Sequence, residues 1–224
     1  MDSTRPALRL LDLPLIKDPG RLADFLLHSI EPEAATPYAL FVHSMGAFMA
    51  YEVACRVLDL GLHLPVWVGV SGSTAPQPGK RAGGRHELSD VELRTQLKQL
   101  GGTPDGVVDD PDLWAVFEPI IRADMRLVEK WRSAPGPLPL ALSAYAGRQD
   151  HPASPLRMAH WKDHTTRFMG LRTFDGGHFH FLDDPARLLR QIEQDATTAL
   201  DTRGRAQPCV RRRDTVPALL EPVP

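Results

Sequence analysis

The stretch YALFVHSMGAFMAYEVACRVLDLGL, residues 38 to 62, passes without a break from a short apolar run into an Ala-rich helical period. It reads as a buried strand that turns sharply at Ser44 and feeds straight into a helix, with Gly61 as the C-terminal stop. Short apolar runs recur downstream as PVWVGVSGS, LALSAYAG and, more weakly, GLRTFDGG. Upstream, PGRLADFLLHSI sets Leu22, Phe25, Leu26 and Leu27 on a helical period after a Pro-Gly start. Strands that are nearly all apolar have both faces covered, and strands spaced by helices make a parallel sheet. The expected fold class is therefore α/β, with any ligand at the carboxyl ends of the strands.

Residues 76–137, between the second and third strands, have a different texture and read as an insertion. PQPGKRAGGRH is loop. Ser89 with Glu92 then forms a capping box before Leu93, Leu97 and Leu100, and Gly101 and Gly102 close that helix. DPDLWAVFEPIIRADMRLVEKW is a second helical stretch, which Pro119 is expected to kink or restart. Helices inserted above a parallel sheet act as lids. From Thr202 the chain mixes Arg and Pro without periodicity, so the expected organisation is one domain over 1–201, with its lid at about 76–137, and a disordered tail over 202–224.

Composition narrows the function. The 224 residues are 42% hydrophobic and 24% charged, with net charge -2, so no global field draws the chain to nucleic acid or an acidic membrane. No apolar run reaches the ~18 residues of a membrane span, and the first residues lack a signal-length apolar stretch. Cys55 lies in a helical pattern and Cys209 in the tail, which predicts no disulfide and a cytoplasmic setting.

The turn at Ser44 is where chemistry is expected. A serine hydroxyl needs a base, an acid to orient that base, and donors for the oxyanion. A strand-to-helix elbow lifts the hydroxyl above the sheet and sets the Met45 N–H, at a helix N-terminus, beside the developing charge. His178 in FDGGHFHFLDDP is the expected base, with Phe179, Phe181 and Leu182 anchoring its loop. His180, two residues on, is expected to point away in an extended stretch and to cap or face solvent. Asp150, in the turn after LALSAYAG, is the expected acid; Asp175 lies too close to His178, and Asp163 reads as helix surface. The chain order Ser44, Asp150, His178 is that of α/β-hydrolases. HWKDH lacks the glutamate of a zinc-protease motif, and GSTAPQPGK has the wrong spacing for a phosphate loop. No metal is assigned.

These motifs together give a resemblance. ALFVHSMGAFMAYEVA, SGSTAP, ELSDVELRTQLKQLGGTP, PIIRADMRLVEKW, YAGRQD and FDGGHFHFL resemble, over residues 10 to 198, the type II thioesterases, stand-alone α/β-hydrolases that accompany nonribosomal peptide and polyketide synthases. The resemblance implies hydrolysis of acyl groups from the phosphopantetheine arm of an acyl or peptidyl carrier protein, clearing stalled or misprimed synthases. It also implies a monomer with no metal or diffusible cofactor. In that role Ser44 forms an acyl-enzyme, His178 serves as base and then acid, and Asp150 holds the imidazole tautomer. An esterase acting on small free esters and an inactive carrier-binding remnant are the competing expectations.

The chain departs from the family pattern twice. Val42 stands where the family has glycine, which predicts lower stability or a shifted elbow. The family's N-terminal strands and their F-P-H-A-G-G-type oxyanion motif have no match here. On that reading YALFV is expected to become an edge strand and one oxyanion donor to be missing, a loss that typically costs ~100- to 1000-fold in turnover; a misplaced start codon is the simplest expected cause, with a degenerate gene as the alternative.

Overall fold

The computed structural model describes residues 15–30, 36–76, 84–131, 136–182 and 184–204. Cys209 and most of the expected tail lie outside them. Four strands form a parallel sheet in the order β1-β2-β3-β4: β1 Ala39–His43, β2 Trp67–Ser71, β3 Leu138–Gly147 and β4 Thr165–Phe174. Among the described residues β1 and β4 are the outer strands.

The side-chain period of two sorts the strands' residues between two layers. Val68, Val70, Leu140, Leu142 and Ala144 pack with Met49, Ala50 and Ala54 of α2 (Met45–Asp59). Leu22 and Leu26 of α1 (Pro19–Ile30) lie against the same core. The alternate residues Trp67, Ala141 and Tyr145 pack instead with Leu188 and Ala199 of the last helix, Pro185–Gly204. All five residues of β2 are buried, which is why its apolar run shows no polar alternation.

Three features differ from expectation. β4 begins at Thr165, five residues before the GLRTFDGG run, and most of it is only half-buried; as an outer strand it tolerates Thr166, Arg167 and Arg172, which mask the apolar signal. The last helix has no counterpart among the elements expected from the sequence, and it carries on through Gly204, so the expected start of the tail at Thr202 falls inside it. Arg167 donates to the Thr202 hydroxyl at 3.0 Å. This helix is also held by a buried polar knot: Asp195 accepts from Tyr145 at 2.6 Å and from Arg172 at 2.9 Å. Burial alone would raise the Asp195 pKa, but the Arg172 ion pair and the hydrogen bonds outweigh it and hold the carboxyl below its usual range.

The lid comprises α3 (Asp90–Leu100), α4 (Asp105–Asp109) and α5 (Pro111–Lys130). The Ser89–Glu92 capping box is present. Pro119 neither interrupts nor restarts α5, which runs as one helix of 20 residues. Asp110 caps its start by accepting from the N–H groups of Asp112 and Leu113, and packing of Trp114, Ala123 and Leu127 offsets the lost backbone bond. Arg122, of the RAD stretch, ties the lid together through Asp90 at 2.7 Å and the Leu88 carbonyl at 2.6 Å. Leu93, Leu97 and Trp114 pack with Ile121 and Met125 inside the lid. At its foot Trp131 donates to Glu52 of α2 at 3.1 Å and lies 4.8 Å from the Phe48 ring.

Candidate active site

β1 runs into α2 through Ser44, which takes φ 52 and ψ -120, the one described residue other than glycine at positive φ. Such a dihedral costs ~1–3 kcal/mol and persists only where surroundings impose it. Here the Ser44 N–H donates to the Ser71 carbonyl at 2.8 Å, while the Ser44 carbonyl accepts from Ala47 at 3.1 Å. A serine at a helix start usually caps the first turn with its own hydroxyl. The Ser44 side chain makes no such bond; its Oγ lies 3.1 Å from His178 Nε2. Val42 does not displace the elbow beyond that reach. Its side chain packs toward the core, and its Cβ would sit 3.3 Å from a side-chain carbon at Gly46, so a small residue at 46 makes room for it.

At the same carboxyl end of the sheet, the segments after β3 and β4 deliver the other two groups. Arg148 N–H donates to the Phe174 carbonyl at 2.8 Å, Gln149 N–H to the Gly176 carbonyl at 3.0 Å, and Gly176 N–H to Gln149 Oε1 at 2.6 Å. These bonds stitch the turn after β3 to the loop after β4. They set Asp150, 2% exposed, against His178, whose Nδ1 is 2.9 Å from Asp150 Oδ2. Asp150 Oδ1 accepts from the Ala153 N–H at 2.9 Å. Burial would raise the Asp150 pKa, yet the bonds from His178 and Ala153 prevail and keep it below the usual carboxylate range. An ionised Asp150 makes His178 Nδ1 the donor, leaving Nε2 as a lone pair aimed at the Ser44 hydroxyl. The structure thus brings Ser44, His178 and Asp150 into one hydrogen-bonded line, with Met45 as the first residue of α2. N–H groups of a helix's first turn have no intrahelical acceptor.

Asp175 stands apart, pairing on the surface with Arg148 and Arg187. Asp163 is exposed beside His160, and His164 lies 2.9 Å from the Pro76 carbonyl.

His180 corrects the expectation that it faces solvent. The segment after Asp175 is a chain of turns rather than an extended strand, so residues two apart both face inward. His180 is 4% exposed and stacks on Phe174 at 5.0 Å. Leu182, expected to anchor the loop, is instead 62% exposed. Two further residues went unweighed in the sequence. His43, beside the nucleophile, places its ring 4.8 Å from that of His178, and Ser71 Oγ lies 3.0 Å from His43 Nδ1 and 3.1 Å from His180 Nε2. Alternation along FVHS and VGVSG was the available signal, since each polar side chain there sits at the carboxyl end of a strand.

Burial, then the neighbouring His178 and His180, pushes the His43 pKa down to about 4; burial lowers His180 and His164 as well. Because these rings take up protons more readily when unfolded, the unfolded chain binds more protons between pH 6.5 and about 4. Stability from this source is complete above pH 6.5 and is lost as pH falls through that window. Thermal melts should therefore drop by ~5 °C or more from pH 7 to pH 4.5, and a His43→Phe variant should show a flatter profile.

Among the described residues, the lid approaches this site at Gly102. Gly102 has φ 79, and a Cβ there would lie 2.3 Å from the Phe179 ring, which is itself packed 5.0 Å from His178 and 5.2 Å from His43. Gly102→Ala should lower kcat/KM on the order of 10-fold by pushing Phe179 toward His178, as steady-state kinetics would reveal; an unchanged value would mean that Phe179 swings free.

A parallel sheet, a strained strand-to-helix serine, and a histidine after the last strand held by an acid after the preceding one define the α/β-hydrolase fold. Within that fold the chain belongs to the thioesterase domain family, whose model matches residues 4–196. A probable cadicidin biosynthesis thioesterase of Streptomyces griseus is 34% identical over 74% of this chain and 46% of its own length. Among solved structures, the type II thioesterase BorB from the borrelidin biosynthetic cluster is 36% identical with a TM-score of 0.71, covering 81% of this chain and 74% of BorB. The RedJ thioesterase of the prodiginine pathway in Streptomyces coelicolor is 33% identical with a TM-score of 0.72, covering 80% and 72%. The chain spans about half the length of the Streptomyces griseus relative and 66% of the gramicidin S biosynthesis protein GrsT of Aneurinibacillus migulanus. Among the described residues no helix is long and apolar enough to cross a membrane.

Proposed function

We propose that the chain hydrolyses acyl thioesters carried on the phosphopantetheine arm of an acyl or peptidyl carrier protein, releasing stalled or misprimed acyl groups from a synthase. The observation that carries this reading is the line from Asp150 through His178 to Ser44, at 2.9 and 3.1 Å, in a chain of the thioesterase domain family. His178 Nε2 takes the Ser44 proton as Oγ attacks the thioester carbonyl. The Met45 N–H and the α2 dipole stabilise the oxyanion. Collapse breaks the C–S bond, and His178 returns its proton to the departing pantetheine sulfur. Water, deprotonated by His178, then attacks the acyl-serine, and the proton passes back to Ser44 as the carboxylic acid leaves. Asp150 holds the ring in the required tautomer and stabilises the imidazolium. The relatives' names tie them to cadicidin and anguibactin biosynthesis, and we place this chain in comparable secondary-metabolite biosynthesis, in the cytoplasm.

The test is intact mass spectrometry of the chain, acid-quenched during turnover of an acylated carrier protein. An acyl adduct that maps to Ser44 is expected. Release of acid with the adduct on another residue, or faster turnover of nitrophenyl esters than of carrier thioesters, would reject the proposal.

A further inference from the structure

His180 and Ser71 stand outside the proposed triad, yet both are buried directly behind it. Ser71 ends β2, is 0% exposed, and its backbone carbonyl already fixes the nucleophile by accepting from the Ser44 N–H. Its hydroxyl meets two rings, His43 Nδ1 at 3.0 Å and His180 Nε2 at 3.1 Å. His180 follows His178 by two residues in the same turn segment, and its other face is stacked on Phe174 at 5.0 Å with rings 15° apart. A polar ring this deeply buried costs stability unless its nitrogens are hydrogen-bonded, and among the described residues Nε2 has Ser71 as its partner while Nδ1 has none.

We infer that the Ser71–His180 bond is a positioning tether, which fixes the loop bearing the base to the strand whose carbonyl fixes the nucleophile. This rests on the proposed role of His178. Without the tether the loop keeps its backbone ties to the β3 turn through Gln149 and Gly176, which hold it near Asp150 but not at the right height over Ser44. The His178 ring then samples positions out of line with the Ser44 hydroxyl. His43, bonded to the same hydroxyl, lies 4.8 Å from the His178 ring. A misplacement of ~1 Å in such a line costs ~100-fold. Neither residue touches the substrate, so binding is left alone.

The test uses the full chain and two readouts: turnover of an acyl-pantetheine thioester, and labelling of Ser44 by a fluorophosphonate, in which an Oγ–P bond forms and fluoride leaves while His178 takes the hydroxyl proton. His180→Phe keeps the stack and loses the bond; Ser71→Ala loses it from the other side. Each should lower kcat and the labelling rate at least ~10-fold, with KM within about twofold. The double variant should be no slower than the slower single, because both remove the Ser71–His180 bond and Ser71→Ala already removes the bond to His43. His180→Gln, whose amide reaches the place of Nε2, should recover most of the rate. Effects on kcat that multiply in the double variant, or rates that merely follow the folded fraction measured by circular dichroism, would overturn the tether. So would a His180→Phe chain at the parent rate beside a dead His178→Ala. If His178→Ala itself keeps the parent rate, or the parent neither labels nor turns over, the triad reading falls and the tether with it.

Discussion

Ser44→Ala is expected to lower kcat on an acyl-carrier thioester by ~10⁴-fold, with the protein still folded. Loss of the nucleophile costs about 10⁶-fold in a serine protease. A thioester is more labile than an amide, and oxyanion donors that remain can still assist water, so a smaller loss is expected here. The same position carries a stability cost. Ser44 holds φ 52 and ψ -120, a region that only glycine enters freely. Alanine keeps the Cβ and thus the strain, so Ser44→Ala should melt near the parent temperature. Ser44→Gly releases it and should melt higher, by ~2–4 °C for each kcal/mol recovered, while being equally inactive. Parallel kinetics and melting of the two variants separate chemistry from strain. A Ser44→Ala chain that hydrolyses at the parent rate would show that Ser44 is not the nucleophile.

Gly147→Ala is expected to cost at least ~100-fold in kcat and several degrees in Tm. A Cβ on Gly147 would lie 2.1 Å from the Gly177 carbonyl oxygen and 2.5 Å from that of Gly176. Both are backbone atoms, so no rotamer relieves the overlap; the loop itself must retreat by about 1 Å. That loop begins where Gln149 is bonded to Gly176 and leads directly into His178. The shift therefore stretches the Ser44–His178 contact, so the loss is expected in kcat more than in KM. Gly106→Ala is the control, since a Cβ there meets nothing within 4 Å; in α4 it should be neutral or stabilise by ~0.5–1 kcal/mol. Equal activity of Gly147→Ala and the parent would mean that the loop is not held against β3.

Much of this site was legible because its parts follow local rules. The elbow at Ser44 announces itself as an apolar strand running into an Ala-rich helix. Asp150 and His178 each lie just beyond a strand, and the lid's capping box at Ser89 and Glu92 needs only a spacing of three. What escaped notice was non-local. The first half of β4 and the final helix are masked by residues such as Arg167 and Asp195, whose polarity is absorbed by partners far along the chain, as when Arg167 donates to Thr202 and Tyr145 donates to Asp195. Pro119 violates a helix rule that packing of Trp114 and Leu127 overrides.

His180 is the instructive error. Taken as extended backbone, residue 180 points opposite to 178; in the turns that the chain adopts, both face inward. Gly102 and Gly147 were visible as glycines, but why each must lack a side chain depends on Phe179 and on the Gly176 and Gly177 carbonyls, which the sequence places far from them. The residue pattern by itself determined the first three strands and the helices among them, the elbow, and the three side chains proposed for the chemistry, because periodicity and turn chemistry act over a few residues. Only the tertiary structure decided what holds those side chains in line. Close backbone approach and buried hydrogen bonds such as Ser71 to His180 arise between segments whose proximity no local pattern encodes.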